Sequence, residues 1–221
     1  PKMTFTPALG LGMPSLAEYV DVKLIRTDDT GSAAWAEALL ASLRGLALEG
    51  IEVFGVRLLQ KGDPALSKLP AMARWVAGLP RSTVDAFGGQ EALRAALEEK
   101  WAAPMEVHRE ARKKHKAKTL VVQEHALEFR VGDETDVLRR AGLLGDLFPI
   151  AFETRTGGPS IKPVEVLQSL VGEAHARVVR EGFFIDRDSE GPRLSPLDLE
   201  AFRKVREAPS VASDALAALI C

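Results

Sequence analysis

Six basic residues crowd one short segment and are, by type and spacing, the clearest candidates for binding chemistry in this chain. They are Arg109, Arg112, Lys113, Lys114, Lys116 and Lys118, opposed only by Glu110. A stretch of this kind can neutralise several nucleic-acid phosphates and release their counterions. No aromatic residue lies between them, so stacking on unpaired bases is not indicated. A solvated hairpin arm is an equally good interpretation, because lysines also protect exposed sheet edges.

A glycine turn that leads into a helix forms a second candidate anion site. Gly157 and Gly158 lie between Arg155 and Lys162, and Pro163 suits the first position of a helix. The N-terminus of a helix presents free backbone N–H groups and the positive end of its dipole, and the two cations would add charge. A tight turn followed by a conventional helix start is the competing interpretation.

Two carboxylates could take part in catalysis. Glu18 and Asp21 belong to a predicted strand, and either could serve as an acid, a base or a nucleophile. We expect Glu18 on the same face of this strand as Val20, Val22 and Leu24, which would bury it in part. A charged residue at the start of a strand is also commonly the solvated end of that strand.

Other catalytic motifs are absent from the sequence. It contains no P-loop, no nucleophile elbow and no paired-histidine zinc motif. A calcium-loop pattern that begins at Asp186 has Leu197 where a glutamate is needed. The single cysteine, Cys221, and the four histidines have no partners at metal-ligand spacing. We therefore expect no metal ion and no cofactor in this chain.

The composition indicates a globular protein in which positive charge is segregated. Of the 221 residues 46% are hydrophobic, and the net charge is −2. A role with nucleic acid therefore depends on a local patch. No run of eighteen apolar residues exists, so we expect no membrane span. With no recognisable signal peptide and one cysteine, the sequence predicts a cytoplasmic protein.

Alternating apolar residues predict strands, and apolar residues at helical spacing predict the helices between them. Strands are expected over residues 18–25, 51–60, 120–131, 148–152 and 178–186. Helices are expected to begin at Ser32, Gln90, Pro163 and Ser195. Pro149 suggests that its strand lies at the edge of a sheet. The last third of the chain thus repeats the strand–helix–strand arrangement of the first.

The first 21 residues resemble a signature of the radical-SAM-linked domain family. This signature joins a basic residue, an aromatic residue, Pro-Ala-Leu, a glycine-rich turn and a Glu-Tyr-x-Asp strand. The residues that carry it here are Lys2, Phe5, Pro7, Ala8, Leu9, Gly10, Gly12, Glu18, Tyr19 and Asp21. Further residues similar to the family are Gly157, Gly158, Lys162, Pro163, Glu165, Val166 and Leu167, followed by residues 179–184.

The resemblance implies a role beside a radical SAM enzyme. Members of that family occur near ribonuclease and ribosomal-protein genes, or as the C-terminal part of a radical SAM protein with a cobalamin-binding-type domain. These neighbouring genes imply that the family recognises or modifies RNA. This chain lacks the three-cysteine cluster motif, so the iron–sulfur cluster, S-adenosylmethionine and cobalamin would belong to the parent protein. It also lacks the strand and helix that normally precede the signature, and Pro1 looks like a cut inside a longer polypeptide.

The resemblance and the residue patterns together predict an α+β fold of two ferredoxin-like halves. The first half, residues 1–80, lacks its opening strand and helix, and the second covers residues 81–221. We expect a non-catalytic module that helps a radical SAM domain to recognise RNA through residues 109–118. The second anion contact would come from Arg155, Gly157, Gly158 and Lys162.

Two alternatives to this expectation belong to different classes of function. An RNA-modifying enzyme in its own right would use Glu18 or Asp21. A protein–protein docking module would make no contact with RNA, and its basic segment would be an irregular arm beside an apolar patch.

Overall fold

The computed structural model describes residues 2–10, 12–24, 32–59, 63, 66, 71–111, 116–132, 134–156, 160–172, 176–185 and 195–197. The strands are β1 (Lys2–Phe5), β2 (Val20–Lys23), β3 (Ala71–Pro80), β4 (Glu106–Arg109), β5 (Lys118–Val121), β6 (Ala126–Val131), β7 (Leu147–Arg155) and β8 (Arg177–Ile185). The helices are α1 (Ser32–Leu46), α2 (Arg81–Ala86), α3 (Gln90–Ala102), α4 (Val122–His125), α5 (Thr135–Arg140) and α6 (Pro163–Val171).

Four strands form one sheet in the order β6-β7-β3-β8. Strand β7 pairs antiparallel with both β6 and β3. The chain between β3 and β6 contains α2, α3, the β4–β5 pair and α4, and the chain between β7 and β8 contains α6. Taken alone, β3, α3, β6, β7, α6 and β8 follow the strand–helix–strand–strand–helix–strand order of a ferredoxin-like fold. The predicted α+β class is confirmed. The predicted boundary at residue 80 falls at the end of β3, a central strand of this sheet.

The two central strands are nearly continuous apolar runs, as expected for strands covered on both faces. Their pairing runs from Met72 opposite Arg155 to Pro80 opposite Leu147. All residues from Met72 to Leu79 are buried. This long register fixes the position of the end of β7.

Pro149 lies within β7, which has a neighbouring strand on each side, so the edge strand predicted from this proline is wrong. Its partner in β3 is Gly78. Its carbonyl still accepts a hydrogen bond from the N–H of Gly132 at 2.9 Å. A proline removes a single donor from the ladder, and the other pairs of this nine-residue strand hold it in the centre.

The main core lies between one face of the sheet and helices α3 and α6. Trp75, Phe152 and Phe183 supply its large side chains from the sheet, and Leu93 and Leu170 come from the two helices. Each fully buried side chain of this size contributes roughly 1.5–3 kcal/mol of transfer free energy. The opposite face of the sheet carries a smaller core of Val76, Val137, Leu138, Ala151 and Val179.

The strand predicted over residues 120–131 is interrupted by the short helix α4, so that it contributes to two different sheets. Strand β5 pairs with β4 in a separate hairpin, and β6 joins the four-stranded sheet. The side-chain amide of Gln123 explains the turn. It accepts a hydrogen bond from the N–H of Met105 at 3.0 Å and donates to the carbonyls of Trp101 and Ala103.

The chain forms two compact units. One contains residues 5–20 and 70–184, with the four-stranded sheet. The other contains residues 1–4, 21–69 and 185–221.

In the second of these units, residues 51–59 form no strand, so the strand predicted over 51–60 is wrong for its described part. The side chain of Arg44 instead donates hydrogen bonds to the carbonyls of Val53 and Phe54, at 2.9 and 3.1 Å. These bonds occupy acceptors that a neighbouring strand would need.

Residues 14–16 lie beside the outer edge of β8. The N–H of Leu16 donates to the carbonyl of Arg180 at 2.9 Å, and the N–H of Arg180 donates to the carbonyl of Pro14 at 3.0 Å. These two bonds cover part of the edge that β8 would otherwise leave open.

Two sequence predictions fall outside the described residues. They are the calcium-loop pattern that begins at Asp186 and most of the helix predicted from Ser195. In the part of the chain that the structure describes, no helix is both long and apolar enough to cross a membrane.

Candidate nucleic-acid interface

The basic segment belongs to the hairpin of β4 and β5, which we call the basic hairpin (residues 106–121). Arg109 stands opposite Lys118, and His108 stands opposite Thr119, with 2.9 Å between His108 Nδ1 and Thr119 Oγ1. Lys116 and Lys118 are exposed. Three further candidates, Arg112, Lys113 and Lys114, lie outside the described residues.

The base of the basic hairpin is anchored in the main core. Leu120 is buried, and Val107 opposite it packs against the core cluster. The N–H of Val122 donates to the carbonyl of Met105 at 2.7 Å and closes the base of the hairpin. The exposed Lys118 of β5 is therefore carried by a fixed strand pair.

Arg109 holds the basic hairpin against the start of α6. Its Nε and Nη2 donate to the two carboxylate oxygens of Glu165, at 2.9 and 2.6 Å. Nη2 also donates to the carbonyl of Ser160 at 2.8 Å. Paired hydrogen bonds of this kind are among the stronger contacts between side chains. Arg109 thus brings together two basic features that lie about fifty residues apart in the chain.

The ion pair shifts the pKa values of Arg109 and Glu165 in opposite directions. The hydrogen bond to Glu165 raises the pKa of Arg109 above its ordinary value, against the effect of burial. Burial raises the pKa of the Glu165 carboxyl, but the hydrogen bonds from Arg109 and from the Lys162 N–H, with the charges of both residues, outweigh burial and lower that pKa. Both groups are therefore ionised at neutral pH.

The second predicted anion site already contains a carboxylate of the protein. Glu165 Oε2 accepts the backbone N–H of Lys162 at 2.8 Å, so Glu165 caps its own helix. The side chains of Arg155 and Lys162 are exposed. Gly157 and Gly158 lie outside the described residues. An external anion at this point would approach the two exposed side chains, because Glu165 occupies the helix start.

The sequence interpretation did not identify Glu165 as a site residue. A usable signal was present, since Pro163 and a glutamate two residues later mark a capped helix start. Only the folded structure shows that Glu165 pairs with Arg109.

A buried arginine, also missed, fastens residues 5–20 to the sheet. Arg180 of β8 is only 2% exposed. Its Nε and Nη2 donate to Glu18 Oε1, at 2.8 and 2.5 Å, and its Nη1 donates to the carbonyl of Pro7 at 2.9 Å. The guanidinium lies 4.3 Å from the ring centre of Phe183 and 5.4 Å from that of Trp75. Contacts of this kind favour a cation over an aromatic face.

The two candidate catalytic carboxylates both make structural hydrogen bonds. Glu18 also accepts from the hydroxyl of Thr6 at 3.0 Å, in addition to its pairing with Arg180. Asp21 accepts the backbone N–H of Leu66 at 2.6 Å. Among the described residues, no group of three or more histidine, cysteine or acidic side chains could hold a metal ion.

Strands β1 and β2 carry exposed apolar side chains. Met3 and Phe5 are 56% and 66% exposed, and Val20 and Val22 are also exposed. Met3 and Val22 belong to one compact unit, and Phe5 and Val20 belong to the other.

These features define an α+β protein with a ferredoxin-like sheet and an exposed basic hairpin. The chain belongs to the family described as "Uncharacterized protein conserved in bacteria (DUF2344)", whose model matches residues 1–146. The matched range includes Glu18 and the whole basic hairpin and ends before β7. No curated protein and no solved structure matches the chain.

Proposed function

We propose that this chain is a non-catalytic module that recognises RNA for a radical SAM protein. The observation that carries the proposal is the basic hairpin, whose exposed Lys116 and Lys118 project from a base fixed by the Arg109–Glu165 ion pair. The resemblance of the N-terminal residues to the radical-SAM-linked domain family supports a radical SAM protein as the partner. The iron–sulfur cluster, S-adenosylmethionine and cobalamin belong, in this proposal, to that partner.

Phosphate binding suits the basic hairpin for a physical reason. Arg109 and Lys118 stand directly opposite each other, and like charges in this position destabilise a strand pair. Glu165 offsets the charge of Arg109, and the charge of Lys118 is left to solvent or to a bound anion. A polyanion would neutralise Lys116 and Lys118 together and release counterions as it binds.

The proposal is tested by fluorescence anisotropy with a labelled single-stranded RNA and a labelled structured RNA. We expect the variant Lys116→Gln/Lys118→Gln to bind the single-stranded RNA about 25-fold more weakly at about 0.1 M salt, since each phosphate contact contributes about fivefold there. The loss for the structured RNA should be at least as large, because the dependence per phosphate is steeper for a duplex. The matched control is Arg139→Gln/Arg140→Gln, which removes two exposed cations from α5. It should bind like the unmodified protein.

Two results would count against RNA recognition by this surface. One is the absence of measurable binding to either RNA at low salt. The other is an equal loss of affinity in the hairpin variant and the α5 control, which would indicate a general effect of net charge.

The exposed apolar residues Met3 and Val22, which belong to the same compact unit, favour a second function, docking of the radical SAM domain. We expect Met3→Ser/Val22→Ser to weaken binding of that protein in calorimetry and to leave RNA affinity unchanged. Leu144→Ser is the control, because Leu144 is 70% exposed and lies elsewhere, in the loop before β7. If the double variant bound the radical SAM protein with unaltered affinity, these residues would not be a docking site.

A further inference from the structure

Strand β6 forms one edge of the four-stranded sheet. One side of it pairs with β7, and none of the described strands lies along its other side. At the opposite edge, the hydrogen bonds of residues 14–16 cover part of β8. An uncovered edge presents backbone N–H and C=O groups with which another chain can pair. Strand β6 is therefore the edge at which a second copy of this chain could add a strand.

A β-bulge interrupts this edge at Glu128. Leu127 stands opposite Glu153 and Phe129 stands opposite Phe152, so Glu128 is one residue more than β7 supplies at this point. Its φ is +44°, and in the described part of the chain it is the only residue other than glycine with a positive φ. Residues that carry a side chain rarely adopt this conformation. Other parts of the fold must therefore hold the bulge in place.

The packing of Phe129 holds the bulge. Side chains alternate between the two faces of a strand, so the extra residue puts Phe129 on the same face as Phe152, against the main core. There its ring stacks on that of Trp101, with 5.1 Å between the ring centres and 21° between the planes. Stacked aromatic pairs contribute more than the burial of their area. These contacts offset the unfavourable backbone of Glu128.

Two charged side chains lie at the same place on the edge. Arg130 Nη2 is 3.6 Å from Glu128 Oε2, and the two side chains are 59% and 26% exposed. Charged residues on an edge strand also discourage pairing with another strand. The bulge and the charges are thus two distinct barriers, one of backbone geometry and one of desolvation.

We propose that the bulge at Glu128, and not the charge on the edge, keeps β6 from pairing with a second copy of this chain. A bulge bends and twists its strand, which moves the outer N–H and C=O groups away from the regular spacing that a ladder requires. Removal of Glu128 would leave a regular strand in which residues 126, 127 and 129–131 keep their partners in β7. That strand would present an even row of donors and acceptors.

The experiment is sedimentation velocity of the whole chain over a range of protein concentrations. The first variant lacks Glu128, and we expect its mass to rise with concentration to about twice that of one chain, as for a two-fold dimer. The second variant is Glu128→Asn/Arg130→Ser. It removes both charges and keeps the bulge, because asparagine tolerates a positive φ. It should have the mass of the unmodified chain at every concentration. Circular dichroism checks that both variants are folded.

Two results would overturn the proposal. One is a folded deletion variant whose mass equals that of the unmodified chain at all concentrations. The other is association of Glu128→Asn/Arg130→Ser, which would identify the charges as the barrier. The second result is decisive even if the deletion variant does not fold, because Glu128→Asn/Arg130→Ser changes only side chains at the edge.

Discussion

Arg109 and Glu165 face each other with two hydrogen bonds, at 2.9 and 2.6 Å, between the basic hairpin and the first turn of α6. The same carboxylate caps the helix through the N–H of Lys162. One acidic side chain therefore fixes both the start of a core helix and the position of the basic hairpin. Arg109 serves to position the segment, and the described lysines beyond it, Lys116 and Lys118, are exposed to solvent.

This arrangement predicts a specific dependence of stability on pH. Because the folded protein lowers the pKa of Glu165, its contribution to stability is complete above the ordinary glutamate pKa of about 4.3 and is lost as pH falls through the folded value. Glu165→Gln should lower the free energy of unfolding at pH 7 by about 1–2 kcal/mol, because the charged Arg109 loses its negative partner and one of the two acceptor oxygens. Urea unfolding at pH 7 and at acidic pH measures this.

The two proteins should converge in stability as Glu165 becomes protonated. Glu98→Gln on the exposed face of α3 is a suitable control, with little effect at either pH. A constant difference between Glu165→Gln and the unmodified chain at both pH values would contradict the assigned role of this carboxylate.

Breaking the pair of Arg180 and Glu18 should cause a larger loss of stability. Glu18→Gln leaves the buried guanidinium without its counterion, and breaking a buried pair costs roughly 3–5 kcal/mol. Glu18 is 44% exposed, so water can compensate in part, and we expect about 2–3 kcal/mol. Urea unfolding followed by circular dichroism would report it. A change below about 0.5 kcal/mol, as for an ordinary surface substitution, would mean that residues 5–20 are held by other contacts.

Elements with several local signals could be predicted from the sequence. The starts of α3 and α6 were predicted at Gln90 and Pro163, because apolar spacing and a helix-start signal agree there. The strand over residues 51–60 was predicted only from the alternation of apolar and polar residues. This alternation does not reveal whether a partner strand exists. The edge position inferred from Pro149 failed because the opposite residue, Gly78, and the neighbouring pairs tolerate one missing donor.

The sequence predicts which charged residues form the candidate site, but it does not predict which of their side chains meet in the fold. The lysines of the basic hairpin are visible as a cluster in the sequence. Glu18 and Arg180 lie 162 residues apart, and no local pattern indicates that they meet. Arg180 did carry a hint, since a cation within the apolar run of β8 requires a partner.

Close packing at Gly78 leads to a further prediction. A Cβ at this position would lie 2.9 Å from Leu147 Cδ1 and 3.1 Å from Leu138 Cδ1. Gly78→Ala should therefore destabilise the protein by about 1–3 kcal/mol, as expected for overpacking in a core. Thermal unfolding gives the comparison.

The matched control is Gly182→Ala in β8, also a buried strand glycine. Its Cβ would meet Ala17 at 3.7 Å, an ordinary contact, so we expect a neutral or slightly stabilising effect. If both variants behaved alike, the packing between β3 and the start of β7 would be looser than described.

The central claim is that the lysines of the basic hairpin bind RNA phosphates, and the salt dependence of binding tests it most directly. For single-stranded RNA the logarithm of affinity falls with the logarithm of salt concentration by about 0.7 per phosphate neutralised. We expect Lys113→Ala/Lys114→Ala/Lys116→Ala to flatten this slope by about two units, with an equal effect on all RNA sequences because phosphate contacts carry no base information. Arg139→Gln/Arg140→Gln should keep the original slope. An unchanged slope in the triple variant would contradict the claim and leave docking through β1 and β2 as the better account.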